Sequence, residues 1–211
     1  MKTVTIDPAL KEKIPGFCVA VLSFEIEGVF RSSALAEEIK LLEQEILAAY
    51  TLETLLQDPR ILAGRNGYKA LGKDSSHSPP WESMMRRLME GSGIDGGNDI
   101  VDIGNILSVK ARRSVAVMDE ERLQGDVLIG IGISRGVFDK GNIPLYMDGE
   151  GPFGSLASGS LRSRITEHTR QVLLFMTSFN GKEGLHEDAR LAIDYYTRYG
   201  EGSNFLFEII V

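Results

Sequence analysis

The order of residue patterns along the chain predicts an α+β fold: one domain over residues 1–211, with a central β-sheet or barrel flanked by helices. Three observations carry this. Up to about Arg113 most apolar residues recur with a helical period, and beyond it short apolar runs separated by glycine or charged turns take over. No strand–helix–strand alternation of the kind that builds a parallel sheet is visible. Twenty-three glycines in 211 residues exceed the usual ~7% and point to many tight turns, hence to strands.

The elements follow in order. FCVAVLSFEIE, from Phe17, is rich in Val, Phe and Ile and reads as a buried strand. After Ser32-Ser33, the apolar positions Leu35, Ile39, Leu42 and Ile46 step by four, three and four, which places them on one helical face. A short helix is predicted over Thr51 to Gln57, stopped by Asp58-Pro59. Ser78-Pro79 reads as an N-cap with proline at the first helical position, and Trp81, Met84, Met85 and Leu88 then form a helical stripe ended by Gly91. DIVDIGNILSVKA reads as a helix with Asn105 one turn after Val101; a mid-helix asparagine is a poor helix former and implies a tertiary role. SVAVMD, DVLIGIGIS, IPLYMD and RQVLLFMTSF read as strands of the central sheet. HEDARLAIDYYTRYG reads as a helix with Ala189, Ile193, Tyr196 and Tyr199 at helical spacing, and NFLFEIIV as a closing strand.

Composition excludes several classes of function. A single Cys18 rules out an intrachain disulfide and a cysteine-based zinc site. The longest apolar stretch, FCVAVLSF, is far below the ~20 residues of a membrane span, and no targeting signal is visible, so a cytoplasmic location is expected. The net charge of −7 argues against a large electrostatic grip on nucleic acid. Charge is uneven, however. Residues 65–113 hold eight basic against six acidic side chains, and Lys69, Lys73, Arg86, Arg87, Arg112 and Arg113 form the candidate phosphate-contacting set.

Two motifs match catalytic or cofactor patterns but lack their context. Gly132-Ile-Ser134-Arg-Gly136 has the G-x-S-x-G spacing, yet the helix that must follow a nucleophile elbow is broken by a glycine and a proline. Gly149-Glu-Gly151-Pro-Phe-Gly154 has the G-x-G-x-x-G spacing, but no amphipathic helix follows, so a turn is expected and no cofactor. His77, His168 and His186 are too scattered for a local metal motif, and no metal is expected.

Five stretches, YKALGKD, SPPWESMMRRLMEG, NDIVDIGNILSVKARRSVAVMDEERLQGD, FGS and ITEHTRQVLLF, keep an order and spacing that resembles a known family. It is similar to the B3/B4 domain of the phenylalanyl-tRNA synthetase beta subunit, and more so to free-standing proteins built from that domain alone. The resemblance is clearest over residues 65–180, and its set of marks is VD-x-x-N, D-x-x-x-L-x-G and T-E-x-T-x-x-V-L-L. It implies a pocket that hydrolyses tyrosine wrongly esterified to the phenylalanine tRNA; aminoacylation itself is excluded by length. By position Asn105 matches the family's asparagine, Gly104 stands where threonine is usual, and Gly154 matches a pocket glycine. Ala116 stands where a histidine is expected and Phe175 where a glutamate is expected. These five residues are expected to converge on one pocket. The loss of two polar groups weakens recognition of a phenol, because such recognition requires hydrogen bonds to its hydroxyl. Two functions follow from the resemblance and the departures. One is a trans-editing factor that hydrolyses mischarged aminoacyl-tRNA, with no catalytic residue assigned. The other is a non-catalytic module that binds an amino acid or a related small molecule, without tRNA.

Overall fold

The computed structural model describes residues 1–73, 78–132, 141–156 and 158–211. The chain runs β1 (Val4–Ile6), α1 (Pro8–Lys13), β2 (Cys18–Ile26), α2 (Ser33–Ala49), α3 (Leu52–Leu56), α4 (Pro59–Ala70), α5 (Pro80–Met89) and α6 (Asp99–Ala111). It continues with β3 (Ser114–Asp119), β4 (Val127–Ile131), β5 (Pro144–Asp148), β6 (Gly151–Ser155), β7 (Ser158–Gly159), β8 (Gln171–Ser178), α7 (Leu185–Tyr199) and β9 (Gly202–Ile210). This is the expected α+β fold.

The strands divide into two sheets. One has the order β3-β8-β2-β9 and is antiparallel throughout; the other has the order β1-β4-β5-β6-β7, with β1 and β4 parallel and the rest antiparallel. The sequence expectation of one central sheet is corrected here: SVAVMD and RQVLLFMTSF pair with each other, while DVLIGIGI belongs to the second sheet. Short apolar strands carry no mark of which partner they will choose.

The four-stranded sheet is the middle of three layers. Leu22 and Phe24 of β2 and Leu174 and Met176 of β8 face a helical layer, where Leu42, Trp81, Ile103 and Tyr196 meet them. Val19 and Val21 of β2, Ala116 of β3 and Phe175 of β8 face the second sheet, against Val127, Tyr146 and Phe153. A strand buried on both faces needs apolar residues at every position, which is why VLLF and CVAVL are continuous runs rather than alternations.

Helix ends follow their local chemistry. Asp7 and Asp58 each cap a helix that opens with proline, accepting from Ala9 N and Arg60 N at 2.8 Å. Asp58-Pro59 therefore starts α4 as well as ending α3. Helix α5 begins one residue later than expected, with Pro79 at the cap and no side chain closing it. Helix α4 falls in a stretch to which the sequence pattern assigns no element, and Gly64, Asn66 and Gly67 all disfavour a helix. Its glycines are there for packing: a Cβ on Gly64 would lie 2.8 Å from Pro79 Cγ, and one on Gly67 would collide with the Phe179 ring. Helix α6 matches its predicted span. Asn98 caps it, accepting from Val101 N at 3.0 Å, and Arg112 ends it in the left-handed conformation at φ 52°.

Candidate functional site

Helix α6 lies so close to β3 that its middle must be free of side chain on one face. A Cβ at Gly104 would stand 2.6 Å from Val117 Cγ2. Along β3 the side chains alternate, so Val115 and Val117 face α6 while Ala116 faces the other sheet. The groove beside this contact holds two adjoining cavities, of about 440 and 430 Å³. Asn105 and Val115 line both and stand at their junction.

The first cavity is walled by the start of α6, by Gly159 of β7 and by the segment Arg164-Ile165-Thr166-Glu167. That segment is held by a turn in which Thr169 Oγ1 accepts from Thr166 N at 3.0 Å and donates to Asp119 Oδ2 at 2.7 Å. The three sequence marks are thus wired together. Asp119 of D-x-x-x-L-x-G anchors Thr169 of T-E-x-T, and this places Thr166 and Glu167 opposite Asn105 of VD-x-x-N. Asp102 of that last mark accepts from Gly96 N and holds the glycine-rich loop against α6. A Cβ on Gly96 would meet Val101, and would lie 2.9 Å from Asn105 Nδ2.

Several polar groups in this cavity have no protein partner, though Asn105 is half-buried and Arg164 is exposed. The Asn105 amide, the Thr166 hydroxyl and the Arg164 guanidinium have no hydrogen-bond or ion-pair partner among the described residues, and Thr166 Oγ1 is buried. The second cavity differs. Pro80, Trp81, Met84 and Ile94 line it, and its serines are already engaged: Ser78 with Glu82, Ser83 with the Pro79 carbonyl and Ser108 with the Gly104 carbonyl.

Among the described residues, the charges around the groove and its two side openings balance. Arg31, Lys40, Arg87 and Arg164 face Asp95, Asp99, Asp102 and Glu167. Burial pushes the Asp99 and Asp102 carboxyls above the usual range, against the backbone N–H groups of Ser32 and Gly96 that bond them.

The expected convergence of five residues on one pocket does not occur. Gly104 and Asn105 line the first cavity. Ala116 and Phe175 are cross-strand neighbours sealed between the sheets, where the Phe175 ring stacks on Tyr146 at 4.2 Å. Gly154 sits in β6, paired with Gly159, and is one strand removed from the cavity wall. The cause is the two-residue period of a strand: the positions where the family has histidine and glutamate point away from Asn105. Thr166, Glu167 and Arg164 are lining residues that sequence reading did not single out; only the T-E-x-T spacing marked the first two.

Several of the expected phosphate-contacting residues have other partners. Arg113 is almost fully buried, with Nε 2.5 Å from Asp188 Oδ2 and Nη2 2.6 Å from the Glu183 carbonyl. Arg86 bonds the buried Glu82 at 2.9 Å, beside a two-pronged contact from Arg65. Arg112 lies 3.3 Å from Asp58. Lys69 and Arg87 are exposed, and Lys73 is half-buried. The net charge of residues 65–113 misled here because most of its arginines neutralise carboxylates within the fold.

Of the other motifs, Gly149 to Gly154 forms a turn and the strand β6 rather than opening a helix. Ser134, Gly136 and His77 lie outside the described residues. His168 is exposed beside Glu167, and the His186 ring packs edge-on against Phe207. Among the described residues no helix is long and apolar enough to cross a membrane.

No family model and no curated protein matches the chain. Among solved structures it is similar to an N-terminal fragment of the phenylalanyl-tRNA synthetase beta-subunit from Pyrococcus horikoshii, with 14% sequence identity and a TM-score of 0.42. That match covers 99% of this chain and 50% of the other, so the chain spans about half the fragment's length.

Proposed function

We propose that the groove between α6, β3 and the 164–167 segment binds an aminoacyl-sized ligand, either a free amino acid or the aminoacyl end of an ester. The observation that carries this is the buried Thr166 hydroxyl, left without a protein partner in a cavity of about 440 Å³, beside the half-buried Asn105 amide and the exposed Arg164 guanidinium, which also have no partner among the described residues. Polar groups left unpaired in a protein interior are costly unless a ligand or water completes them. The volume lies within the range of small-molecule sites. The balance of charge around the groove suits a zwitterion better than a polyanion, since a phosphate backbone is attracted by a surplus of cations.

Hydrolysis of mischarged aminoacyl-tRNA is the second reading. It is favoured by Asn105, Thr166 and Glu167, which belong to the motifs that resemble the B3/B4 domain and share this cavity. In that reaction a water oxygen attacks the ester carbonyl, the Asn105 amide donates to the oxygen that gains charge, and the tRNA hydroxyl leaves with a proton. A panel of free amino acids and a panel of mischarged tRNAs, offered to wild type and Asn105→Ala, separate the readings. Amino-acid binding that is lost in the variant, without ester hydrolysis, supports the binding module. Asn105-dependent deacylation supports the editing factor. Absence of both refutes the site.

A further inference from the structure

The two cavities differ in what they leave unsatisfied, and this gives the ligand a direction. Resting on the reading that the groove takes an aminoacyl group, we propose that its ligand is bipartite. The charged head sits in the Arg164–Thr166–Glu167 cavity, and an apolar side chain reaches past Asn105 into the cavity lined by Trp81, Met84 and Ile94.

The head is placed by hydrogen bonding. The buried Thr166 hydroxyl has no partner among the described residues, so a charged head in the first cavity gives it one, while the half-buried Asn105 amide and the exposed Arg164 stand ready for a carboxylate and the exposed Glu167 for an ammonium. A charged head in the second cavity finds its serines already donating to Glu82, Pro79 and Gly104. Asp95, at its edge, is held by Arg31 at 2.8 Å. Among the described residues Arg87 alone remains there, exposed on α5. The side chain is placed by apolar burial. Trp81, Met84, Ile94 and Pro80 offer a ring, a flexible thioether and aliphatic surface, and Met adapts to varied shapes. The ligands selected are therefore amino acids, or their esters, with large uncharged side chains. Charged side chains are disfavoured because, among the described residues, the second cavity offers them only Arg87 and Asp95 at its exposed edge.

Trp81 is the only tryptophan in the chain, so its fluorescence reports directly on the second cavity. The test titrates alanine, leucine, phenylalanine, aspartate and lysine into wild type, Ile94→Phe and Thr166→Val. It follows both the Trp81 emission and the shift in melting temperature. Each methylene buried is worth about fourfold in affinity, so leucine, with three more carbons, is expected to bind up to about 60-fold more tightly than alanine and to change the emission. Ile94→Phe is expected to lose that preference while still binding alanine. Thr166→Val is expected to weaken all ligands by a similar factor and leave the preference intact. Should Ile94→Phe fail to fold, Met84→Phe narrows the same cavity.

Binding with no side-chain preference and a silent Trp81 overturns the bipartite assignment while leaving an aminoacyl site in place. A preference changed by Thr166→Val and not by Ile94→Phe shows the ligand reversed, which also overturns it. If no amino acid shifts the melting temperature or the emission, the aminoacyl reading falls and the bipartite assignment with it.

Discussion

Replacing Arg113 by alanine distinguishes a residue that holds the fold from one that holds RNA. The guanidinium is 2% exposed, bonds Asp188 Oδ2 at 2.5 Å and the Glu183 carbonyl at 2.6 Å, and so ties the start of α7 to the turn between α6 and β3. Its removal leaves Asp188, itself only 12% exposed, with Arg60 at 3.7 Å as its remaining cation, and takes the donor from the Glu183 carbonyl. Breaking a buried ion pair from one side costs about 3–5 kcal/mol. Arg60 compensates in part, so about 3 kcal/mol is expected, equivalent to about 6–12 °C in melting temperature for a chain of this size. Urea unfolding of wild type and Arg113→Ala measures it. The double variant Arg113→Met, Asp188→Leu should recover part of the loss, because no carboxylate is left stranded, while Arg60 loses its partner and the Glu183 carbonyl still lacks its donor. An alanine variant within about 0.5 kcal/mol of wild type that nevertheless loses tRNA binding would refute this account and return Arg113 to the phosphate-contacting set.

Other outcomes test the same architecture. Phe175→Glu, which by family analogy restores a carboxylate for a tyrosyl hydroxyl, should instead destabilise the protein by at least about 4 kcal/mol, since it buries a charge against Tyr146; circular dichroism and urea unfolding show it, and a folded variant with new tyrosyl-ester preference would contradict the inter-sheet placement. Gly104→Thr should cost about 2 kcal/mol or more, because Val117 Cγ2 is stiff and lies 2.6 Å from the added Cβ; a stability unchanged from wild type would mean that α6 moves freely off the sheet. Burial alone would raise the Glu82 and Asp148 carboxyls, but bonds from Arg65 and Arg86 to the first, and from Arg162 to the second, draw both below the usual range. Their stabilisation is therefore present above about pH 4 and lost as pH falls through the folded-state values, and a Glu82→Gln variant should show a shallower acid limb in pH-dependent unfolding. If the chain binds tRNA, the affinity should be on the order of 10⁻⁴–10⁻⁶ M and should weaken with salt; Lys69→Glu with Arg87→Glu should lower it and flatten the salt slope, and binding indifferent to salt would count against phosphate contacts.

Much of the local structure is decided by the sequence alone. The spans of β2, α2, α6, β3, β8 and α7 follow from period, caps and breakers, because these act within a few residues of one another. Helix α4 is the instructive miss: its glycines look like helix breakers until Pro79 and Phe179 occupy the space where their side chains would stand. Sheet partnership is also beyond the sequence. Nothing in DVLIGIGI marks it for β1 and β5 rather than for β8, since backbone pairing is common to all strands.

The candidate site divides in the same way. Asn105 is legible because a mid-helix asparagine is anomalous by propensity, and Thr166 and Glu167 are marked by a spacing. That they meet depends on Asp119, which holds the turn at Thr169 from fifty residues away. Ala116 and Phe175 show the converse. Their positions matched a functional pattern, but a one-residue step along a strand reverses the face, and only the packing of two sheets determines that this face is the dry one. For the arginines, the sequence sets their number and sign, while the fold decides which of them spend that charge on Glu82, Asp58 and Asp188. Charge is a property of a residue, but its availability to a partner depends on what the folded chain has placed within about 4 Å of it.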